Sequence, residues 1–169
     1  MFFLVFFEPT DQTIAGKPFE LPKELYQQIK FISPNLYELR QIALTLGISS
    51  SNTEKVENVK TEADKQMILQ EIYELVQHIQ PHVTNIITTI GSLGVTIQRK
   101  GNVDEQLLKF TGNGNFTRYY PAPRVDNIVN VSGAGDGWTS GFIAAFLRNC
   151  KEDVCVNVGF TASERGELF

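Results

Sequence analysis

Four glycines and one aspartate lie close together in NVSGAGDGWTSGF, residues 130–142. The residues that follow have helical spacing, with Trp138, Phe142, Ala145 and Phe146 on one face. A helix start presents backbone N–H groups without partners and the positive end of the helix dipole. Glycines there let an anion approach those groups closely. The segment therefore predicts an anion-binding helix N-terminus.

Asp136 stands inside this glycine cluster. Its negative charge would repel a bound phosphate, so its position makes sense if the carboxylate accepts a proton from an attacking hydroxyl. As an alternative, the helix dipole alone favours an aspartate in a first turn. The cluster lacks the lysine and the length of a P-loop, and it differs from the dinucleotide-binding GxGxxG pattern. A general base and a plain helix start both remain open on these residues alone.

Two further segments carry polar residues or glycines next to predicted elements. Asn35 and Glu38 begin the predicted helix NLYELRQIALTLG, with the spacing of an N-cap residue and its capping-box partner. Gly91 ends the β-branched segment VTNIITTIG and Gly94 follows it, and the two glycines indicate a turn after a central strand. The histidines at 78 and 82 and the cysteines at 150 and 155 show no pattern typical of a metal site or an activated nucleophile.

Composition excludes several classes of protein. The chain has 169 residues, is 42% hydrophobic and 20% charged, and carries a net charge of −4, as is ordinary for one soluble domain. It has no basic run that would bind nucleic acid and no apolar segment long enough to span a membrane. Two cysteines are too few for a disulfide framework and favour a reducing, cytoplasmic location. The N-terminal MFFLVFFEPT lacks the positive region and cleavage site of a signal peptide, so we expect a buried strand.

Helix and strand patterns alternate along the chain, which predicts an α/β layered domain. A loop is expected in EPTDQTIAGKPFELP, a short helix at 23–29, a strand ending at Phe31 and Ile32, and a flexible loop at 49–62. A long amphipathic helix should end before Pro81. GVTIQRKG, LLKF and FTRYY are typical of antiparallel strands, with GNG at 112–114 as a turn.

Three segments together resemble a known family. GAGD followed by an aromatic residue and GF is similar to the second signature of the ribokinase-like (PfkB) carbohydrate kinases. SPNLYEL at 33–39 resembles the family's Asn-x-x-Glu element, and TIGSLGV at 89–95 resembles its nucleotide-side strand and turn. With FFEPTD, these segments look closest to the pseudouridine kinase branch. The resemblance implies a three-layer α/β/α fold with a mainly parallel sheet, cut down to the C-terminal nucleotide-binding portion.

The resemblance also implies ATP-dependent phosphorylation of a sugar or nucleoside, most simply pseudouridine to its 5'-phosphate. Asp136 would be the base, with the amides of Gly133, Ala134 and Gly135 stabilising the transferred phosphoryl group. Asn35 and Glu38 would support phosphate and Mg²⁺ through water, which is compatible with a capping box. Gly91 and Gly94 would shape the nucleotide turn, and a monovalent cation such as K⁺ is an open requirement.

The chain also departs from the family pattern. Many members have Asp where Asn130 stands and a small hydroxyl residue where Gly137 stands. The resemblance covers only the family's C-terminal half, so we expect residues 1–169 to be a partial kinase domain without the lid. A non-catalytic nucleotide-binding or interaction fragment and another sugar or nucleoside kinase of the family therefore stay open. A homodimer, a glycosidase fusion and a mitochondrial location stay open for the parent protein.

Overall fold

One mixed five-stranded sheet forms the centre of the protein. The computed structural model describes residues 5–48, 59–100, 115–124 and 133–166. The strands, in the spatial order β1-β2-β3-β4-β5, are β1 Val5–Phe7, β2 Ile29–Ile32, β3 Asn85–Thr89, β4 Gly94–Lys100 and β5 Asn115–Pro121. The α-helices are α1 Gln12–Ala15, α2 Lys23–Tyr26, α3 Leu36–Thr45, α4 Glu62–Ile79, α5 Ala134–Leu147 and α6 Glu152–Gly166, with 3₁₀ helices at Lys17–Glu20 and Gly91–Leu93.

The strand directions follow from the lengths of the connections. β1, β2 and β3 run parallel, and α3 and α4 lie in the connection that returns the chain from β2 to the start of β3. β3 and β4 are antiparallel because only the short turn at 90–93 joins them. β5 then pairs antiparallel with β4 along seven residues. The carboxyl ends of the three parallel strands consequently meet at one edge of the sheet.

Helices cover both faces of the sheet. Side chains alternate between the faces along a strand, so Ile32 and Ile86 pack with α3 and α4, whereas Phe31 and Ile87 pack with α5 and α6. All four of these side chains are at most 1% exposed. The two apolar clusters confirm the predicted three-layer α/β/α arrangement, and the sheet is parallel in its first half and antiparallel in its second.

Local sequence explains where the two helices of the first layer begin. Asn35 caps α3 through a capping box with Glu38, and Thr61 caps α4 through a capping box with Asp64. The predicted helices in these regions are confirmed, and α4 ends at Ile79, before Pro81. A bidentate pair between Arg40 on α3 and Glu71 on α4, with both N–O distances at 2.7 Å, joins the helices.

The close packing of α5 against α6, the helix layer on the other face of the sheet, depends on glycine. A Cβ atom built on Gly141 of α5 would stand 2.7 Å from the Val158 carbonyl oxygen of α6, and one on Gly159 would stand 2.8 Å from the Trp138 ring. The backbones of the two helices therefore approach more closely than any side chain would allow. Trp138 and Phe142 stack with ring centroids 5.1 Å apart and fill the space between this helix pair and the sheet.

The structure corrects three predictions near the N-terminus. β1 is not a buried strand: Val5 is 38% exposed because the strand has a neighbour on one side only among the described residues. The predicted loop from Glu8 contains α1, which Asp11 caps, and a 3₁₀ helix with Pro18 near its start. The short helix expected at 23–29 ends at Tyr26, because Ile29 already pairs with Val5 in the sheet.

The remaining predicted strands are confirmed wherever the structure describes them. The central strand is confirmed as β3, and the antiparallel strands GVTIQRKG and FTRYY are confirmed as β4 and β5. LLKF, the turn at 112–114 and residues 49–58 of the predicted loop lie outside the described residues. The described helices include none that is long and apolar enough to cross a membrane.

Candidate functional site

The site predicted from sequence lies where the three parallel strands end. Ser33, after β2, donates its amide to the Phe7 carbonyl of β1 at 3.1 Å, and Thr89 of β3 donates its amide to the Pro34 carbonyl at 3.1 Å. These bonds hold the three strand ends side by side. Ligands of open α/β sheets bind at the carboxyl ends of the strands, so this edge is where a bound molecule is expected.

The glycine-rich start of α5 has the features of an anion site. Gly133 is the N-cap and has φ of 81°, a left-handed conformation that favours glycine, and the Gly137 amide bonds to its carbonyl at 2.8 Å. Gly133 has no side chain to cap the amides of Ala134 and Gly135, which have no partner within the helix. A Cβ atom on Gly133 or Gly135 would meet no atom of the described residues within 4 Å, so this part of the structure leaves room for an anion at these amides.

Asp136 lies in the first turn of α5 and is exposed to solvent. Its negative charge contributes to raising the pKa values of Glu8 and Glu38, which follow β1 and begin α3. The structure therefore brings Asp136 into the electrostatic range of two other carboxyl groups at the strand ends. An exposed carboxylate beside uncapped amides is in a position to take a proton from a hydroxyl bound there.

Asn35 and Glu38 form the capping box that the sequence indicated. The Asn35 amide donates to the Glu38 carboxylate at 2.7 Å, and the Glu38 amide donates to Asn35 Oδ1 at 3.0 Å. Burial raises the pKa of Glu38, the hydrogen bond from Asn35 opposes this, and the charges of Asp11 and Asp136 raise it further. A cation at this place would relieve the repulsion among these acidic groups.

Glu8 belongs to this site, although the FFEPTD segment that contains it predicts no chemistry for this residue. Its carboxylate accepts a hydrogen bond from the Ser33 hydroxyl. Burial raises the pKa of Glu8 to about 7, the hydroxyls of Ser33 and Thr139 oppose this, and the charges of Glu38 and Asp136 add to it. The signal that could have found Glu8 is an acidic residue placed directly after a parallel strand, at the edge where ligands bind.

The two glycines of the predicted nucleotide turn have different surroundings. Gly91 has φ of 54°, is exposed, and would place a Cβ in open space. It lines a cavity of about 400 Å³ together with Asn35 and Thr89. Gly94 has φ of 116° and is buried, and its Cβ would stand 2.6 Å from the Ala122 amide nitrogen. Gly94 thus allows β4 and β5 to pair closely, and its contact with a nucleotide stays a prediction.

The acidic residues fit Mg²⁺ held through water better than a closed set of direct ligands. Within the described ranges, no three acidic, histidine or cysteine side chains are placed to hold a metal ion together. One carboxylate oxygen of Glu38 accepts a hydrogen bond from the Asn35 amide, which leaves the other oxygen for an outer-sphere contact. Mg²⁺ dehydrates reluctantly and commonly keeps several waters, so such an arrangement is compatible with it.

Comparison with known proteins agrees with the geometry. Residues 4–164 match the pfkB family carbohydrate kinase profile. The chain belongs to this family. No curated protein matches the chain significantly.

Solved structures share the fold of this family member. A ribokinase from Cryptococcus neoformans var. grubii serotype A in complex with ADP is 18% identical, with a TM-score of 0.67 over 95% of this chain and 45% of that one. A Schistosoma mansoni adenosine kinase in complex with 2-fluoroadenosine is 13% identical, with a TM-score of 0.63 over 98% and 42% of the two chains. A Burkholderia thailandensis nucleoside kinase in complex with inosine is 15% identical, with a TM-score of 0.59 over 98% and 41%. The pfkB family chain described here therefore spans less than half the length of these kinases.

Proposed function

We propose that this chain is the nucleotide-binding part of an ATP-dependent kinase that phosphorylates a primary hydroxyl of a nucleoside or sugar. The observation that carries the proposal is the uncapped, glycine-lined N-terminus of α5, with the exposed carboxylate of Asp136 in its first turn. Glu38 and Glu8 stand at the adjoining strand ends and make the same edge acidic, and Asn35 caps the helix that carries Glu38. Phosphoryl transfer relies on positioning and charge stabilisation, which this arrangement can supply.

The residues suit an in-line transfer. Asp136 takes the proton from the acceptor hydroxyl as its oxygen forms a bond to the γ-phosphorus of ATP. The bond between that phosphorus and the oxygen bridging to the β-phosphate breaks, and ADP leaves with the electron pair. The amides of Gly133, Ala134 and Gly135 donate to the phosphoryl oxygens as negative charge grows on them, which is commonly the largest electrostatic contribution to such reactions.

Asn35, Glu38 and Gly91 would serve the nucleotide side of the reaction. Glu38 would orient water around Mg²⁺, and Asn35 and Gly91 line the cavity next to the strand ends. Bound Mg²⁺ supplies charge neutralisation to the β- and γ-phosphates. Gly94 shapes the turn from β4, and a monovalent cation such as K⁺ near the anion site completes the proposed set.

Pseudouridine is the acceptor that we propose first. The support is the likeness of FFEPTD, SPNLYEL and NVSGAGD to the pseudouridine kinase branch. One solved relative was obtained with ADP, the product expected from the donor ATP, and two others with the nucleosides 2-fluoroadenosine and inosine, so a nucleoside acceptor is compatible with this fold. Residues 1–169 would form a partial kinase domain, and a cytoplasmic location with abundant ATP suits the two free cysteines.

A second candidate is a nucleotide-binding piece that does not catalyse transfer by itself. The observation that favours it is coverage: the chain spans 41–45% of the three solved kinases compared above. A homodimer or a fusion to a glycosidase in the parent protein would supply surfaces from outside this chain. This candidate predicts ATP binding without turnover.

The deciding experiment measures transfer of the γ-phosphate of radiolabelled ATP, with Mg²⁺, to pseudouridine, adenosine, inosine and ribose. The 169-residue chain is compared with Asp136→Asn and with Asp153→Asn, an exposed aspartate in the first turn of the neighbouring helix α6. Calorimetric titration of ATP into the same three proteins measures binding. We expect Asp136→Asn to lower the rate on the order of 10²-fold or more, and Asp153→Asn to leave it unchanged.

The outcomes separate the two candidates. Turnover that Asp136→Asn removes supports the kinase, and the preferred acceptor identifies its substrate class. Binding of ATP without turnover on any acceptor supports the non-catalytic piece. Equal activity of the Asp136→Asn protein would contradict the proposed base, and a failure to bind ATP would contradict both candidates.

A further inference from the structure

The Glu8 carboxyl group stands where three elements meet. It follows β1, its carboxylate accepts the Ser33 hydroxyl at the end of β2, and the hydroxyl of Thr139 on α5 lies close enough to favour its charged form. Ser33 is 2% exposed and Thr139 is 5% exposed. The Thr139 hydroxyl makes no hydrogen bond of good geometry to another described residue. A buried hydroxyl in this position requires a partner, and Glu8 is the acidic group beside it.

Thr139 connects this group to the candidate base. Residues three apart in a helix lie on the same side, one turn above the other, so Thr139 lies under Asp136 in α5. A shift of Thr139 therefore moves the first turn of the helix, which carries both Asp136 and the uncapped amides. The start of α5 has no side-chain cap of its own from Gly133 to hold it in place.

We propose that Glu8 is a positioning residue, which fixes the first turn of α5 against the ends of β1 and β2 through Ser33 and Thr139 and so orients Asp136. The effect on catalysis rests on the proposed kinase function, whereas the effect on the helix start does not.

The charge on Glu8 controls this contact. Among the described residues, the charged groups that act on Glu8 are Glu38 from α3 and Asp136 from α5, both acidic, and Asp11 at the start of α1 adds to the field at Glu38. With its pKa raised to about 7, mainly by burial, Glu8 changes between two forms near neutral pH. The protonated carboxyl can donate to Thr139 and accept from Ser33, whereas the carboxylate can only accept and is repelled by Asp136.

Trp138 provides a direct readout of the helix start. It is the single tryptophan of the chain, is 4% exposed, and lies between Asp136 and Thr139 in sequence. His78 lies in the last turn of α4, and His82 follows that helix and bonds to Tyr26 of the apolar cluster on the opposite face of the sheet. A change in Trp138 fluorescence near neutral pH therefore reports on the layer that contains Glu8.

The test is a fluorescence titration of the 169-residue chain between pH 5 and 9. We expect a step with a midpoint near 7 that is lost in Glu8→Gln and kept in Glu20→Gln, where the exposed Glu20 pairs with Lys17. Ser33→Ala and Thr139→Val remove hydroxyls that favour the charged form, so each should move the midpoint to higher pH. A step that survives Glu8→Gln, or midpoints unmoved by both hydroxyl variants, would overturn the proposal. If Glu8→Gln does not fold, the midpoints of Ser33→Ala and Thr139→Val still test the proposal.

A kinetic measurement separates this proposal from the proposed function. In the kinase assay, Glu8→Gln should flatten the pH dependence of kcat around pH 7 and leave KM for ATP unchanged, whereas Asp136→Asn lowers kcat at every pH. If no protein phosphorylates any acceptor, the proposed function fails while the fluorescence result still decides the role of Glu8. A kcat profile identical to that of the unsubstituted chain would contradict the orienting role.

Discussion

Single glycines have two distinct roles in this protein, and the space around each one distinguishes them. Gly91, Gly133 and Gly135 would place a Cβ atom in open space at the candidate site. Gly94 and Gly141 would instead drive a Cβ into neighbouring backbone. Glycines of the first kind leave room for a ligand. Glycines of the second kind let neighbouring strands or helices pack closely.

Substitution of Gly135 should separate ligand binding from stability. Gly135→Ala introduces no clash and reduces the freedom of the unfolded chain, so we expect the free energy of unfolding to stay the same or rise by about 0.5 kcal/mol. The new methyl group faces the space where phosphate is proposed to bind, so ATP affinity should fall. Urea denaturation and calorimetry check the two quantities, and unchanged ATP affinity would argue against the proposed anion site.

The raised pKa of Glu8 predicts how stability depends on pH. The folded state holds this proton more tightly than the unfolded chain, whose carboxyl has the ordinary pKa of 4.5. Glu8 therefore makes a favourable contribution to the free energy of unfolding. This contribution is fully present below pH 4.5 and is lost as the pH rises through about 7. Denaturation at several pH values should show that Glu8→Gln flattens this decline relative to the unsubstituted chain and Glu20→Gln. An equal decline in all three proteins would refute the prediction.

At the scale of elements, the pairing of α5 with α6 positions the candidate base. Gly141 and Gly159 let the two helices approach closely, and Trp138 packs against Gly159. A buried ion pair also anchors the start of α6 to the sheet: Arg99 of β4 donates to Glu152 at 2.5 Å, and Tyr120 of β5 donates to the same carboxylate at 2.8 Å. The helix that carries Asp136 is thus held through its neighbour as well as through the sheet.

Gly141→Ala tests this helix pair. The added methyl group would overlap the Val158 carbonyl, and overpacking of this kind typically costs about 1–3 kcal/mol of the free energy of unfolding. Gly135→Ala is the matched control, because it is the same change in the same helix without a clash. Thermal and urea denaturation should show a loss of stability for Gly141→Ala and none for Gly135→Ala. Equal stabilities would show that α5 and α6 can move apart at no cost.

At the scale of the whole molecule, two apolar layers share one sheet. Ile86 and Ile87 are adjacent in β3, both are 0% exposed, and they belong to different layers. Removing a buried methyl group on either face should weaken the same strand and hence both layers. The shared strand predicts that the two layers unfold as one unit.

Ile86→Val and Ile87→Val measure this coupling. Each should lower the free energy of unfolding by about 1 kcal/mol. Although Ile86 faces away from the layer of Trp138, its replacement should shift the tryptophan fluorescence midpoint as much as the far-UV circular dichroism midpoint. If Ile86→Val shifts the circular dichroism midpoint and leaves the fluorescence midpoint unchanged, the two layers unfold separately.

Local patterns in the sequence were sufficient to predict the elements that depend on them. The capping box of Asn35 and Glu38, the apolar face of α4 and the glycine-rich start of α5 are set by residues within a turn or two of each other. For the same reason Asp136 and its neighbouring amides could be singled out before any fold was known. The position of β1 at the edge of the described sheet could not be predicted in this way, since an apolar strand has the same pattern whether it has one neighbour or two.

Tertiary structure alone decided which distant residues meet. Glu8, Ser33 and Thr139 are separated by 25 and 106 positions in the chain, and they come together only because β1 and β2 run parallel with α5 packed over their ends. The distinction between Gly91 and Gly94 likewise depends on β5, which closes over one and leaves the other open. Sequence specifies side-chain chemistry and local backbone conformation, whereas the burial and charge coupling that raise the pKa of Glu8 arise from contacts that the folded sheet creates.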